Sequence, residues 1–427
     1  MALRVRVSSL LVLAAALSPL WWAAGLLQFV WLPVVGVALV VHASRTGTLR
    51  VPLEARILLL FLLVQLFSSV AITEPYRYVT FLRSFWGYLT LALVFIYAGS
   101  FIDKGRLLDV ALKSLVLVVW SSLLVSFAAA VLWIFQGSVL QFDAALSSLV
   151  PAWIRATALG QAVFHPSAGR LDWFMGFGYL RHTSMNLFAT TYSMALVAAL
   201  PVILWIYRSP ASGLGKTWRR MAGAGFIAGL AVLALTTGRM SILGLATGAA
   251  WYGLVRWPKL RYAVLLVLVA AILGAALLGP GYADELLYAR GQGSVTTRLQ
   301  IYTQTWSRFV ERPLVGWGSE LDVPGLGYPL GSHSQYMSIL FRFGVSGAIV
   351  WLAFMVSVWT RVRRIASRST RAYLGWAVLA VYINGLTDVW DLDLFTFYTL
   401  ALLFIIVYLC SGSMLAKEGV DASTGAV

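Results

Sequence analysis

The chain has 427 residues, 60% hydrophobic and only 11% charged, with a mean hydropathy of +0.84, which excludes a water-soluble globular domain and makes a bilayer its solvent. Its net charge of +16 would suggest nucleic-acid binding in a soluble protein, but here the basic residues fall in short connections between apolar runs. The single cysteine, Cys410, lies in the last apolar run and excludes both a disulfide framework and a thiolate metal site.

About 20 mostly apolar residues span a hydrocarbon core roughly 30 Å thick. The apolar runs predict twelve spans, near 8–24, 27–43, 56–73, 84–101, 107–135, 184–207, 222–237, 240–255, 262–279, 336–360, 372–387 and 395–411. Stretches such as 262–278 are continuously apolar, unlike the alternating segments of a barrel, so the expected fold class is an all-α integral membrane protein and the chain a single polytopic domain over 1–427. Arg4 and Arg6 before an apolar stretch resemble a secretory signal, yet no small-residue cleavage site follows, which favours an uncleaved first hairpin. Pro19 and Pro33 interrupt that hairpin, and the two short runs could equally form one re-entrant pair.

Placing the basic clusters on one side puts 21 Lys and Arg residues there against five acids, while the opposite side carries 11 arginines and 11 acids. Lys and Arg in short loops stay in the cytoplasm, so both termini are expected inside, and the excess charge reports topology and contact with anionic membrane lipids. No nucleic-acid partner follows from it. Two external segments, 136–183 and 280–335, are too long for simple connectors and are where function is expected. The first holds an amphipathic stretch over 139–154, with Leu140, Phe142, Leu146, Leu149 and Trp153 able to lie in the interface plane. The second holds a helix expected over 295–312, stopped by Pro313, and then a Gly/Pro-rich loop to His333.

The external side concentrates arginines, among them Arg155, Arg170, Arg181, Arg239, Arg290, Arg298, Arg308 and Arg312, with Arg342 just inside the next span. Guanidinium bonds phosphate oxygens bidentately. Arg239 sits in the Thr236-Thr237-Gly238-Arg239 break between two spans, either as a functional charge or as a snorkelling one. Arg298 is expected at a helix start, where backbone N–H groups also favour anions, or else on a solvated face. His333, in Gly331-Ser332-His333-Ser334-Gln335, could take a proton near neutral pH or be a packed loop residue. Of Asp388, Asp391 and Asp393, one could orient an imidazole or bind an arginine, the others facing water; His42, Asp109 and His165 read as structural. No P-loop, Gly-x-Ser-x-Gly elbow or cluster of His and carboxylate ligands is present, so nucleotide, serine-hydrolase and metal readings, and any cofactor, lack support.

Arg298-Leu-Gln-Ile-Tyr-x-x-x-Trp, then Arg312-Pro-Leu-Val-Gly-Trp-Gly, then Gly331-Ser-His-Ser-Gln ahead of a span, resemble the signature region of the O-antigen ligase and polymerase superfamily. Arg239 in Thr-Thr-Gly-Arg-Met-Ser and the pair Arg181-His182 look like further family features, and the resemblance covers about 160–393. Members often have Asn after this His and an acid before the later Gly, where this chain has Ser334 and Arg342-Phe343-Gly344. The resemblance implies a C-type glycosyltransferase of the bacterial inner membrane that works at the periplasmic face, with an undecaprenyl-diphosphate-linked glycan as donor. By it, Arg239 and Arg298 would hold the diphosphate with Arg181 and Arg290 nearby, His333 would be the base and Asp388 a supporting acid. The leading reading is O-antigen ligase, with the lipid A core as acceptor. The alternatives are O-antigen polymerase, protein O-oligosaccharyltransferase and a lipid-linked glycan transporter; the transporter is disfavoured by the absence of charges mid-span.

Overall fold

The computed structural model describes residues 7–101, 103–174, 177–257, 259, 292–323, 325–326 and 328–412. The expected ninth span, 262–279, and Arg290 lie outside the described residues. Six described helices are long and apolar enough to cross a membrane: α5 (Arg77–Ser100), α6 (Lys104–Gln136), α9 (Ala189–Arg208), α10 (Lys216–Thr236), α13 (Gln335–Arg364) and α15 (Leu394–Gly412). Beside them run α3 (Trp31–Thr46), α4 (Leu53–Ser69), α11 (Arg239–Arg256) and α14 (Arg368–Asn384). The first hairpin is broken further: Pro19 opens α2 (Ser18–Ala24) directly after the ten-residue α1 (Val7–Ala16), and the left-handed Gly25 ends it.

Helices α9 and α15 form the centre, with 89% of their apolar windows buried; α15 packs on α5, α6, α9 and α13, and α9 on α10 and α14. Lipid tails are as apolar as leucine, so such packing depends on close fit rather than on escape from water. The α11–α14 contact shows it. A Cβ at Gly244 would stand 2.7 Å from the Ala380 carbonyl oxygen, and one at Gly248 would strike the Trp376 ring, so this small-xxx-small pair brings the two backbones together.

Three expectations change. The amphipathic stretch 139–154 holds only short helical pieces: it is extended to Ala144, then enters a 3-10 turn at Ser147–Leu149 and the four-residue Ala152–Arg155 (α7). Gly137 ends α6, Pro151 interrupts the stretch, and Gln141 bridges to Ser167 instead of continuing a helix. After α8 (Ala158–Phe164) comes an antiparallel hairpin, β1 (Gly169–Phe174) with β2 (Phe177–His182), a departure from an all-α chain. Third, α13 is not one continuous span, because Gly344 has φ 66° and ψ −170° in its interior. The part beyond, 345–364, is about 30 Å long and suffices for a crossing, which leaves 335–343 as a separate short helix. Backbone groups freed at the break are taken by the segment before it: Trp317 and Gly318 N–H donate to the Phe341 and Arg342 carbonyls, while the Val345 and Ser346 N–H donate to Pro313 and Leu314.

Candidate active site

The helix expected over 295–312 is present as α12 (Gln292–Glu311). It starts six residues before Arg298, so Arg298 occupies the second turn and the expected help from free N-terminal amides is absent. Its face is set by spacing: Arg298, Tyr302 and Thr305 recur at helical intervals, and the last two grip the loop ahead of α13. The Tyr302 hydroxyl donates to the His333 carbonyl at 2.7 Å, and Thr305 Oγ1 accepts from the Gly331 N–H at 3.2 Å.

That loop is bent tightly. Gly331 has φ 76°, and a Cβ there would stand 2.6 Å from the Phe341 ring. His333 itself has φ 66°, a region L residues other than Asn and Asp seldom adopt and one that costs on the order of 1 kcal/mol. Ser334 then caps α13, its Oγ accepting from the Met337 N–H. The half-buried His333 imidazole lies 4.8 Å from the Tyr328 ring, centre to centre. Burial, and second the positive charge of Arg298, hold its pKa down to about 4, so the ring is neutral and able to accept a proton at physiological pH.

Asp388 joins this cluster from the connection between α14 and α15. Its backbone carbonyl accepts from the Gln335 N–H at 3.1 Å, two residues after His333. Burial raises its carboxyl pKa, against the charges of Arg298 and Arg181 and the hydroxyls of Thr190 and Thr387. Arg181, on β2, donates from Nε to the Thr236 carbonyl at 2.9 Å and faces Asp172 across the hairpin at 3.3 Å. Next to it the Tyr179 hydroxyl meets Thr237 Oγ1 at 3.0 Å. The hairpin therefore rests on the α10–α11 corner, whose left-handed Thr237 is followed by the exposed Arg239 at the start of α11. The structure thus gathers Arg181, Arg298, His333 and Asp388, and Arg181 ties Arg239 to the group through the corner it holds.

Of the three acids Asp388, Asp391 and Asp393, two are expected at water, but all three are buried, Asp391 and Asp393 completely. Asp391 binds Arg342 bidentately at 2.9 and 3.0 Å. Asp393 accepts from Gln28 Nε2, the Leu187 N–H and Thr191 Oγ1, fastening the first hairpin and the start of α9 to α15. The composition reading also passed over Arg77 and Arg83. Arg77 is buried and donates to the Trp317, Ser319 and Glu320 carbonyls, and Arg83 lies 3.6 Å from Glu320, so α5 anchors the second long loop. The available signal was two arginines six residues apart in the first two turns of one apolar helix. His42 is buried beside Tyr97 and Phe101, and His165 contacts Asp143 at the surface, both in structural roles. Among the described residues no group of three or more His, Cys, Asp or Glu could hold a metal ion.

The long apolar helices define a multi-pass membrane protein, and the loops at one end of them gather the candidate site residues. Residues 224–352 match a family described as O-antigen ligase, so the resemblance to the O-antigen ligase and polymerase superfamily holds over a segment containing Arg239, Arg298, His333 and Arg342. Arg181 and Asp388 lie outside the matched segment. No curated protein shows significant similarity to the chain.

Proposed function

We propose that this protein is a glycosyltransferase of the O-antigen ligase type, transferring a preassembled glycan from a polyprenyl diphosphate to a hydroxyl of the lipid A core at the periplasmic face of the inner membrane. The observation that carries this reading is the half-buried His333 imidazole next to Arg298, on a loop bonded to the connection that holds the buried Asp388, whose carboxyl lies within the influence of both Arg298 and Arg181. Arg298, Arg181 and Arg239 would hold the diphosphate, whose two ground-state charges match three arginines less Asp388. Arg290, outside the described residues, is a further candidate cation by the family resemblance alone. The acceptor oxygen forms its bond to the anomeric carbon as the bond to the diphosphate oxygen breaks, and the hydroxyl proton passes to His333. The diphosphate departs with its bonding pair, and the arginines stabilise the charge that develops there. Asp388 favours the imidazolium so formed. No divalent ion is assigned a role, since arginines supply the positive charge.

The balance of basic residues supports the orientation, with both termini in the cytoplasm. The deciding experiment offers the purified protein one lipid-diphosphate glycan together with lipid A core, a second lipid-linked glycan or a Ser/Thr peptide. Product on the lipid A core supports the ligase reading. Product only on the second glycan makes the protein a polymerase, product only on the peptide a protein oligosaccharyltransferase, and no product from folded protein overturns the transfer chemistry.

A further inference from the structure

We infer that Arg342 and Asp391 are a positioning pair that sets the pose of His333 relative to Asp388. The inference rests on the glycosyl-transfer reading for its consequence, though not for its geometry.

Gly344 disconnects the short helix 335–343 from the crossing helix 345–364, so the position of the His333 loop is not inherited from the membrane span. Something else must hold it. Gln335 and Arg342 lie seven residues apart and so share a face of the short helix. Both grip the α14–α15 connection that carries Asp388. At the upper end, the Gln335 N–H donates to the Gly385 and Asp388 carbonyls at 2.8 and 3.1 Å, and Gln335 Oε1 accepts from the Trp390 N–H at 2.7 Å. At the lower end, the Arg342 guanidinium makes its two parallel bonds to Asp391 with side-chain exposures of 1% and 0%. The Trp317 and Gly318 amides hold the backbone at the lower end of this short helix, and the two side-chain staples attach it to the α14–α15 connection as well. Two staples on one face fix tilt and register together. The His333 chain precedes one staple by two residues, and Asp388 precedes Asp391 by three.

The chemistry of the pair suits this role. A buried ion pair adds little net stability over a well-packed apolar pair, because desolvation offsets the attraction. Its planar fork accepts only one relative orientation, which a lysine point charge does not impose. Arg83 and Glu320, 3.6 Å apart, flank the pair and keep the local charge balanced.

The test compares Arg342→Lys, Asp391→Asn and the apolar double variant Arg342→Met with Asp391→Leu in detergent-purified full chain. Four readouts are taken: melting temperature, donor KM, kcat, and titration of the His333 ring by NMR on protein with labelled histidine. The chain has only four histidines, and His333→Gln assigns the signal. Arg342→Lys should melt within a few degrees of the parent and keep donor KM within about twofold. Its kcat should fall about 10- to 100-fold, the range expected for a misplacement on the order of 1 Å, and the His333 titration should move toward that of an exposed ring. The apolar double variant should recover melting temperature without recovering kcat or the titration. Parental kcat and titration in folded Arg342→Lys would overturn the proposal, as would recovery of both with melting temperature in the double variant. If Arg342→Lys does not fold, the double variant alone decides by the same criterion. Should the parent transfer no glycan at all, the titration arm still decides the positioning role, and only the functional reading falls.

Discussion

The low basicity of His333 yields a measurable pH profile. An exposed histidine with a pKa near 6.5 would be about 90% protonated at pH 5.5 and lost as a base. Held down to about 4 by burial first and by Arg298 second, His333 stays almost wholly neutral there. In the free protein, kcat/KM should therefore hold from pH 7 to about 5 and fall only as the pH passes through about 4. Exchanging Arg298 for Met removes the smaller of the two causes, so the acid limb should rise, but less than half of the way to 6.5. Bound diphosphate brings negative charge beside the ring, so the acid limb of kcat should lie above that of kcat/KM. Stability follows with a definite sign. The folded pKa is below the unfolded one, so the contribution is complete above about 6.5 and is lost as pH falls toward 4. That interval corresponds to about 3 kcal/mol. Initial rates with donor limiting, from pH 3.5 to 8.5, make the check, alongside His333→Ala, whose rate should fall roughly 10²–10⁴-fold. A parental limb near 6.5 would refute the buried-base argument, and a limb at 4 that survives in an active His333→Ala would assign it to another group.

Exchanging Arg298 for Ala should weaken donor engagement about ten- to hundredfold, read as donor KM, and Lys should restore little because it lacks the fork. Activity should persist in EDTA; loss reversed by one particular divalent ion would give the external carboxylates a role they are not assigned above. Replacing Gly344 with Ala puts a methyl 2.2 Å from the Leu314 carbonyl oxygen on a left-handed backbone, and should destabilise the protein by about 2 kcal/mol or more in a melting assay. Reporter fusions after Ser212 and after Gly325 should behave as cytoplasmic and periplasmic respectively, and the reverse result would overturn the orientation.

Much of the candidate site was legible in the sequence, and the gaps have physical causes. His333, Arg298 and Arg239 stand out because charged or titratable groups at the ends of apolar runs are few and costly. The start of α12 was misjudged because Ser294 reads as an N-cap although the helix already includes Gln292, and the hairpin at 169–182 was missed because a strand pair declares itself through partners across the ladder. That one acid among Asp388, Asp391 and Asp393 could bind an arginine was legible, but not which one, and the other two were placed at water because a carboxylate in a loop normally is.

Local composition alone determined that this protein lives in a bilayer, that helices cross it, and which connections hold the positive charge, since each of these depends on a residue and its near neighbours. Only the tertiary structure decided which external charges are functional candidates and which are fasteners. Arg342 meets Asp391 across 49 residues, and Gln28 meets Asp393 across 365. A buried ion is tolerated only where its partner arrives. The break at Gly344 was likewise hidden, because it is stable only once the 313–318 segment supplies the hydrogen bonds that the helix gives up.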